Sequence, residues 1–278
     1  MRHIKPGMSE FQCEALFKAW CNYFGAARHQ AYVCICASGA HGAILHYGHS
    51  ARPNDRLLED GDSIVLDMGA EYSGYCTDLT RSYPVNGKFT AQQRVVYNAV
   101  RAAQKAVQEQ MKPGVEWAKM HRLAEHVIIE HLREAGILHN GTVEEMEKAH
   151  VGSVFMCHGL GHLLGLDTHD VGGYPNGSAH SKEPGIQWLR TLRELREGMV
   201  ITVEPGIYFN DKWIDRCLKD PNQAKYINIK ELAKYRDTGG CRLEDDVLVT
   251  ATGVENLTVL PNSIEEIEDL MQKARVSK

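Results

Sequence analysis

With 278 residues, 43% of them hydrophobic and 24% charged, the chain is long enough to bury a large core without disulfides or a structural metal. A net charge of −5, a pI near 6.3 and no long basic run argue against nucleic acid and anionic membrane as partners. No charged-then-apolar leader and no apolar run of about 18 residues is found, so neither a signal peptide nor a membrane span is expected.

Residues 1–7 (MRHIKPG) read as the tail of a helix entering a Pro-Gly turn, which raises the expectation of a truncated, originally longer chain. Residues 8–24 predict a helix, with Met8, Phe11, Ala15 and Leu16 at helical spacing and Trp20 and Tyr23 beyond. Residues 31–37 (AYVCICA) predict a strand, and 63–68 and 72–83 a hairpin around Gly69. Thr90 and Gln93 form a capping box that opens a helix carrying Val96, Tyr97, Val100, Ala103 and Val107. It ends before Pro113-Gly114, and a second helix covers about 115–135. Residues 158–177 hold six glycines (159, 161, 165, 172, 173 and 177). Residues 199–209 and 241–250 predict strands, and about 263–275 a last helix. No composition break divides the chain, so a single α+β domain over residues 1–278 is expected.

The eight cysteines include no C-x-x-C pair, which fits reduced thiols in a cytoplasmic protein. The three N-x-[S/T] triplets, at Asn140, Asn176 and Asn256, are read as chance.

Four strand-like segments each carry a carboxylate in an apolar run: Asp67, Asp78, Glu204 and Glu244. Buried carboxylates are costly unless paired or bound to metal. Between them His158, His162 and His169 place three imidazoles within twelve residues. The H-x-x-x-H spacing is not that of a one-zinc helix, since the H-E-x-x-H glutamate is missing and two glycines oppose a helix. Four carboxylates balance two divalent cations. Hard oxygens with one nitrogen favour Mn²⁺ and accept Co²⁺ or Zn²⁺. Two metals about 3.5 Å apart can share a hydroxide and clamp a carbonyl.

The segments DMG (67–69), TD (77–78), HGLGH (158–162), D-x-H-D (167–170), VEPG (203–206) and LEDD (243–246) resemble the pita-bread metallopeptidases, in that family's order. LHYGH (45–49), PNDR (53–56), NGKFTA (86–91), MKPGV (111–115), HDVGGYP (169–175) and VEPGIYF (203–209) resemble the prolidase branch, which cleaves Xaa-Pro dipeptides. The resemblance implies two pseudo-symmetric halves, each a helix pair on a curved antiparallel sheet, with metals between. It implies Asp67, Asp78, His162, Glu204 and Glu244 as ligands of two metal ions, a metal-bridging hydroxide as nucleophile, and Glu204 as proton shuttle. It makes His169, with His46, a partner of the scissile carbonyl or the intermediate, and lets His158 line the pocket near proline. Arg190 would bind the C-terminal carboxylate of a peptide ending in proline, and Arg242 would orient site carboxylates. The branch also implies a homodimer and an N-terminal domain, which is expected to be missing here. Cys157 stands where proline is expected. The competing readings are aminopeptidase P-type cleavage of Xaa-Pro-Yaa peptides and a non-catalytic pita-bread binding module.

Overall fold

A computed structural model describes residues 1–49, 54–175 and 178–276. Pro53 of the PNDR motif and the Asn176 triplet with Gly177 lie outside the described residues. In chain order the first half comprises α1 (Glu10–Tyr23), β1 (His29–Gln30), β2 (Ile35–Ser38), β3 (Ser63–Asp67), β4 (Ala70–Tyr72), β5 (Tyr75–Cys76), β6 (Thr80–Pro84), α2 (Ala91–Gln110) and α3 (Trp117–Glu134). Next come α4 (Val143–Lys148), α5 (Gly152–Phe155), β7 (Val200–Val203), β8 (Gly206–Tyr208), α6 (Asp211–Lys219), α7 (Pro221–Ala224) and α8 (Ile229–Leu232). The chain closes with β9 (Gly240–Arg242), β10 (Asp245–Val249), β11 (Val254–Asn256) and α9 (Ile264–Val276).

Helix α2 starts where its capping box requires. Thr90 Oγ1 accepts from the Gln93 amide at 3.2 Å, and Gln93 Oε1 accepts from the Thr90 amide at 3.0 Å. Its stripe of Val96, Tyr97, Val100, Ala103 and Val107 is buried and packs with α3 over the sheets. Helix α1 departs from its predicted face. Phe11, Trp20 and Tyr23 are exposed, while Glu10, Cys13 and Glu14 are turned inward. The reason is hydrogen bonding rather than hydropathy. Glu10 accepts from the Ser38 amide (2.7 Å), the Ser38 hydroxyl (2.7 Å), the Tyr47 hydroxyl (2.9 Å) and the Arg56 amide (3.2 Å).

Two three-stranded antiparallel sheets, β2-β3-β6 and β11-β10-β7, dominate the halves. The expected single strands are interrupted. The 72–83 return strand is split, with a β4–β5 hairpin inserted before β6, and β2 starts at Ile35 rather than 31. The 199–209 strand breaks at Glu204-Pro205, because proline cannot donate to a ladder. The 241–250 strand breaks at Leu243-Glu244. Each break lets a strand leave one sheet and enter another. The register then sets Ile35 beside Asp67, Asp67 beside Thr80, and Thr80 beside Glu244 across the seam between the halves.

All eight cysteines are free, and six are buried. No helix among the described residues is long and apolar enough to cross a membrane.

Candidate metal centre

Every candidate site residue lines one cavity of about 330 Å³. Asp67, Asp78, His162, Glu204 and Glu244 are there with His46, His158, His169, Arg190 and Arg242. Leu45, Cys157, Trp188 and Trp213, with Gly159 and Gly161, complete its wall. The carboxylates come from strand ends and breaks: Asp67 closes β3, Asp78 precedes β6, Glu204 follows β7 and Glu244 precedes β10.

His162 comes from the glycine-rich stretch, which runs along β7. The His162 carbonyl accepts from the Thr202 amide and the Leu160 carbonyl from the Glu204 amide, both at 2.9 Å. This approach needs a glycine at 161, where a Cβ would stand 1.9 Å from the Thr202 oxygen. His162 Nδ1 lies 3.0 Å from the Leu163 carbonyl, so in the neutral ring the proton sits on Nδ1 and Nε2 faces the centre. Nε2 is 3.4 Å from both Asp78 Oδ2 and Glu204 Oε1. Ligand atoms of Asp78, His162 and Glu244 all lie within 4.8 Å of one another, a spacing that one cation can span. Asp67 sits beside this triad with other partners: Arg242 Nη2 donates to its Oδ2 at 2.6 Å, and the Tyr32 hydroxyl lies 2.5 Å from its Oδ1.

Arg242 ties the seam together. Its Nη1 donates to the Tyr208 hydroxyl at 2.6 Å and its Nε to Thr80 Oγ1 at 3.1 Å, while the Thr80 hydroxyl donates to Glu244 Oε2 at 2.5 Å. Tyr32 and Thr80 carry no local signal in the sequence. Tyr32 is a tyrosine in a strand-like run, and Thr80 becomes functional only through a partner 164 residues away. Behind the centre Asp246 accepts from the Asp78 amide at 3.2 Å.

The electrostatics show a shortage of positive charge. Burial pushes Asp67 up to about 6 and Glu204 up to about 7. Burial, with repulsion from Asp78, Glu204 and Asp67, drives Glu244 well above the carboxylate range. Burial would raise Asp78 too, but His162, Tyr32 and Arg242 outweigh it and hold that acid low. Burial opposes charge on His162, yet Asp78 and Glu204 carry it up to about 8. Burial, then Arg242, brings His158 down to about 3; burial, then His162 and Arg190, brings His169 down to about 4. Both rings are neutral near pH 7. Without cations the carboxylates retain protons that divalent ions would displace, so the donor set fits a metal site.

Arg190 stands at the mouth of the cavity, exposed, with no hydrogen-bond or ion-pair partner among the described residues. Trp188 flanks it on the same segment.

Comparison with known proteins agrees with this geometry. The profile of metallopeptidase family M24 matches residues 1–251. The chain is 51% identical to the Xaa-Pro dipeptidase of Homo sapiens over 271 residues, which cover 98% of this chain and 55% of that protein. It is 42% identical to a probable Xaa-Pro aminopeptidase of Botryotinia fuckeliana over 274 residues, 99% of this chain and 58% of that one. Thus it spans about half the length of the curated relatives it matches. Among solved structures, aminopeptidase PepP of Pseudomonas aeruginosa superposes with a TM-score of 0.81 at 35% identity, covering 99% of this chain and 55% of that one. A zinc-substituted Escherichia coli aminopeptidase P in complex with product gives 0.80 at 36% identity, covering 99% and 54%. The fold is the pita-bread fold expected from the motifs. The chain belongs to metallopeptidase family M24.

Proposed function

We propose that residues 1–278 form a catalytic domain that hydrolyses Xaa-Pro dipeptides with divalent metal ions. The observation that carries this reading is Arg190, a guanidinium without an anionic partner that shares one cavity with the carboxylate cluster. A dipeptide supplies the missing anion as its C-terminal carboxylate, and a guanidinium can hold that group bidentately.

Four carboxylates and the Arg242 guanidinium leave a formal charge of −3, which one divalent cation brings to −1 and two bring to +1, the charge that a bound hydroxide would balance. Oxygen donors with a single imidazole favour Mn²⁺. When bound, the ions would polarise the scissile carbonyl and lower the pKa of the attacking water. The protein's own residues handle binding and protons. Glu204, on the cavity wall beside His162, can take a proton from the attacking water and return it. The proline nitrogen has no hydrogen in the peptide and must gain a proton to leave, which Glu204 delivers. His169 and His46 face the cavity, where the neutral His169 ring can donate to the carbonyl or the tetrahedral intermediate. His158 gives Nδ1 to the Gly159 carbonyl at 2.7 Å, leaving a neutral ring face beside Tyr208 for the proline end.

Likeness to aminopeptidase P supports a second reading, release of the first residue from Xaa-Pro-Yaa. The test compares Ala-Pro, Ala-Pro amide and Ala-Pro-Ala on the manganese-loaded chain. The dipeptidase reading expects Ala-Pro to be preferred. It also expects Arg190→Ala to raise KM for Ala-Pro about 10- to 100-fold, the loss of one charge-assisted contact of about 1.5–3 kcal/mol. Preference for Ala-Pro-Ala would favour the aminopeptidase. Two equivalents of bound metal with no hydrolysis of any peptide would indicate a binding module.

A further inference from the structure

Arg190 reaches the cavity on a segment whose root is fastened outside it. On α3, the Arg122 guanidinium forks. One nitrogen pairs with Glu125 on the same helix; the other pairs with Glu183 and donates to the Pro184 carbonyl at 3.0 Å. Beneath the fork, His121 and Glu125 are buried, with Nε2 3.4 Å from Oε1. Burial raises Glu125, but His121 and Arg122 more than offset it, so the carboxylate stays charged under the guanidinium.

The pair packs directly on Gly185, whose φ of +83° turns the chain. A Cβ there would stand 2.6 Å from Glu125 Oε1 and 2.8 Å from His121 Nε2. One 3-10 turn follows (Ile186–Trp188), then buried Leu189, whose carbonyl accepts from the Tyr174 hydroxyl at 2.7 Å, then Arg190. Arg122, Glu125 and Glu183 are not in the cavity wall. The segment that carries Arg190 is therefore fixed at one end by Tyr174 and at the other by the Arg122 fork.

We propose that Arg122 is a positioning residue: by pinning Glu183 and Pro184 to α3 it sets the reach of the Arg190 guanidinium, and with it the affinity for a dipeptide's free carboxylate. The proposal rests on the dipeptidase reading. A fork is required because two partners on different elements are held at once, which a lysine's single ammonium does less well. The Arg122–Glu183 half of the cluster is half-exposed and adds little to global stability. Geometry and stability can thus be separated.

The experiment uses the metal-loaded full chain with Ala-Pro and Ala-Pro amide. Glu183→Ala leaves the buried His121–Glu125 pair untouched, and Arg122→Ala removes the fork. Both are expected to raise KM for Ala-Pro about tenfold with kcat changed less than twofold, and to leave KM for the amide alone. Glu183→Ala added to Arg190→Ala is expected to cost nothing further, because both act on one contact. Amide hydrogen exchange at residues 186–189 is expected to quicken in both variants while the thermal midpoint of Glu183→Ala stays put. Unchanged KM in both variants overturns the proposal. An equal rise for acid and amide, or a fall in kcat alone, also overturns it and leaves a purely structural role. If Arg190→Ala itself does not affect Ala-Pro, the dipeptidase reading fails; unchanged exchange in both Arg122→Ala and Glu183→Ala sinks the positioning role alone.

Discussion

Tyr32 sets one hydroxyl 2.5 Å from Asp67 Oδ1 and 2.5 Å from Asp78 Oδ1. A hydroxyl has a single proton, which the two carboxylate oxygens share here. Tyr32 therefore orients both aspartates before any cation arrives. Tyr32→Phe is expected to weaken divalent-metal binding about tenfold, as loss of an outer hydrogen bond to a ligand does. Calorimetric titration with Mn²⁺ checks this, and an unchanged affinity would show that the aspartates orient themselves. The charged candidates could be seen in the sequence because a carboxylate in an apolar run is costly and demands an explanation. A tyrosine in the run AYVCICA demands none, since it passes for an ordinary core side chain. Glu10 was hidden for the opposite reason: a charged residue reads as solvent-facing until Ser38, Tyr47 and Arg56 are seen to surround it.

Secondary structure positions the centre mainly by stopping. Glu204 and Glu244 occupy the breaks between β7 and β8 and between β9 and β10. Continuous strands would alternate them onto sheet faces. The helices α2 and α9 follow from capping and periodicity, and α3 from periodicity, all of which are local. The breaks depend on a neighbouring sheet receiving the chain, which is not local, so the two runs read as single strands. The same dependence explains the glycine-rich stretch. Gly161 is needed because β7 runs against it, not because of any turn it makes. Gly161→Ala is expected to push the stretch off Thr202, moving His162 out of the triad and destabilising the fold by about 1–3 kcal/mol, in the range of other overpacked sites. Loss of metal binding together with a lowered thermal midpoint is the expected readout; normal metal affinity would mean that the backbone absorbs the methyl.

The whole molecule is in tension wherever the centre lacks cations. In the folded chain Glu204 keeps its proton to about pH 7 and His162 to about pH 8, against ordinary values of 4.5 and 6.5. Between pH 6.5 and 8 the folded metal-free chain therefore binds more protons than the unfolded chain, and its stability falls as pH rises. His158 and His169, lowered to about 3 and 4, act in the opposite direction; their effect fades above about 6.5, as the unfolded chain loses those protons, and in this window the raised groups outweigh it. The thermal midpoint of metal-stripped protein is expected to drop from pH 6.5 to 8, and added Mn²⁺ to raise it more at pH 8, where fewer protons compete. A flat or rising profile would contradict the charge shortage inferred for the centre. The Thr80–Glu244 bridge, finally, has a consequence for how the chain reaches this state. It joins residues 164 apart in sequence, and closing so long a loop is entropically slow, so both sheets are expected to form before the seam does. The donors meet last. A cation then finds its site only on a nearly native molecule: it cannot guide the search, and it acts by slowing escape. Metal should leave the refolding rate almost unchanged and prolong the folded lifetime.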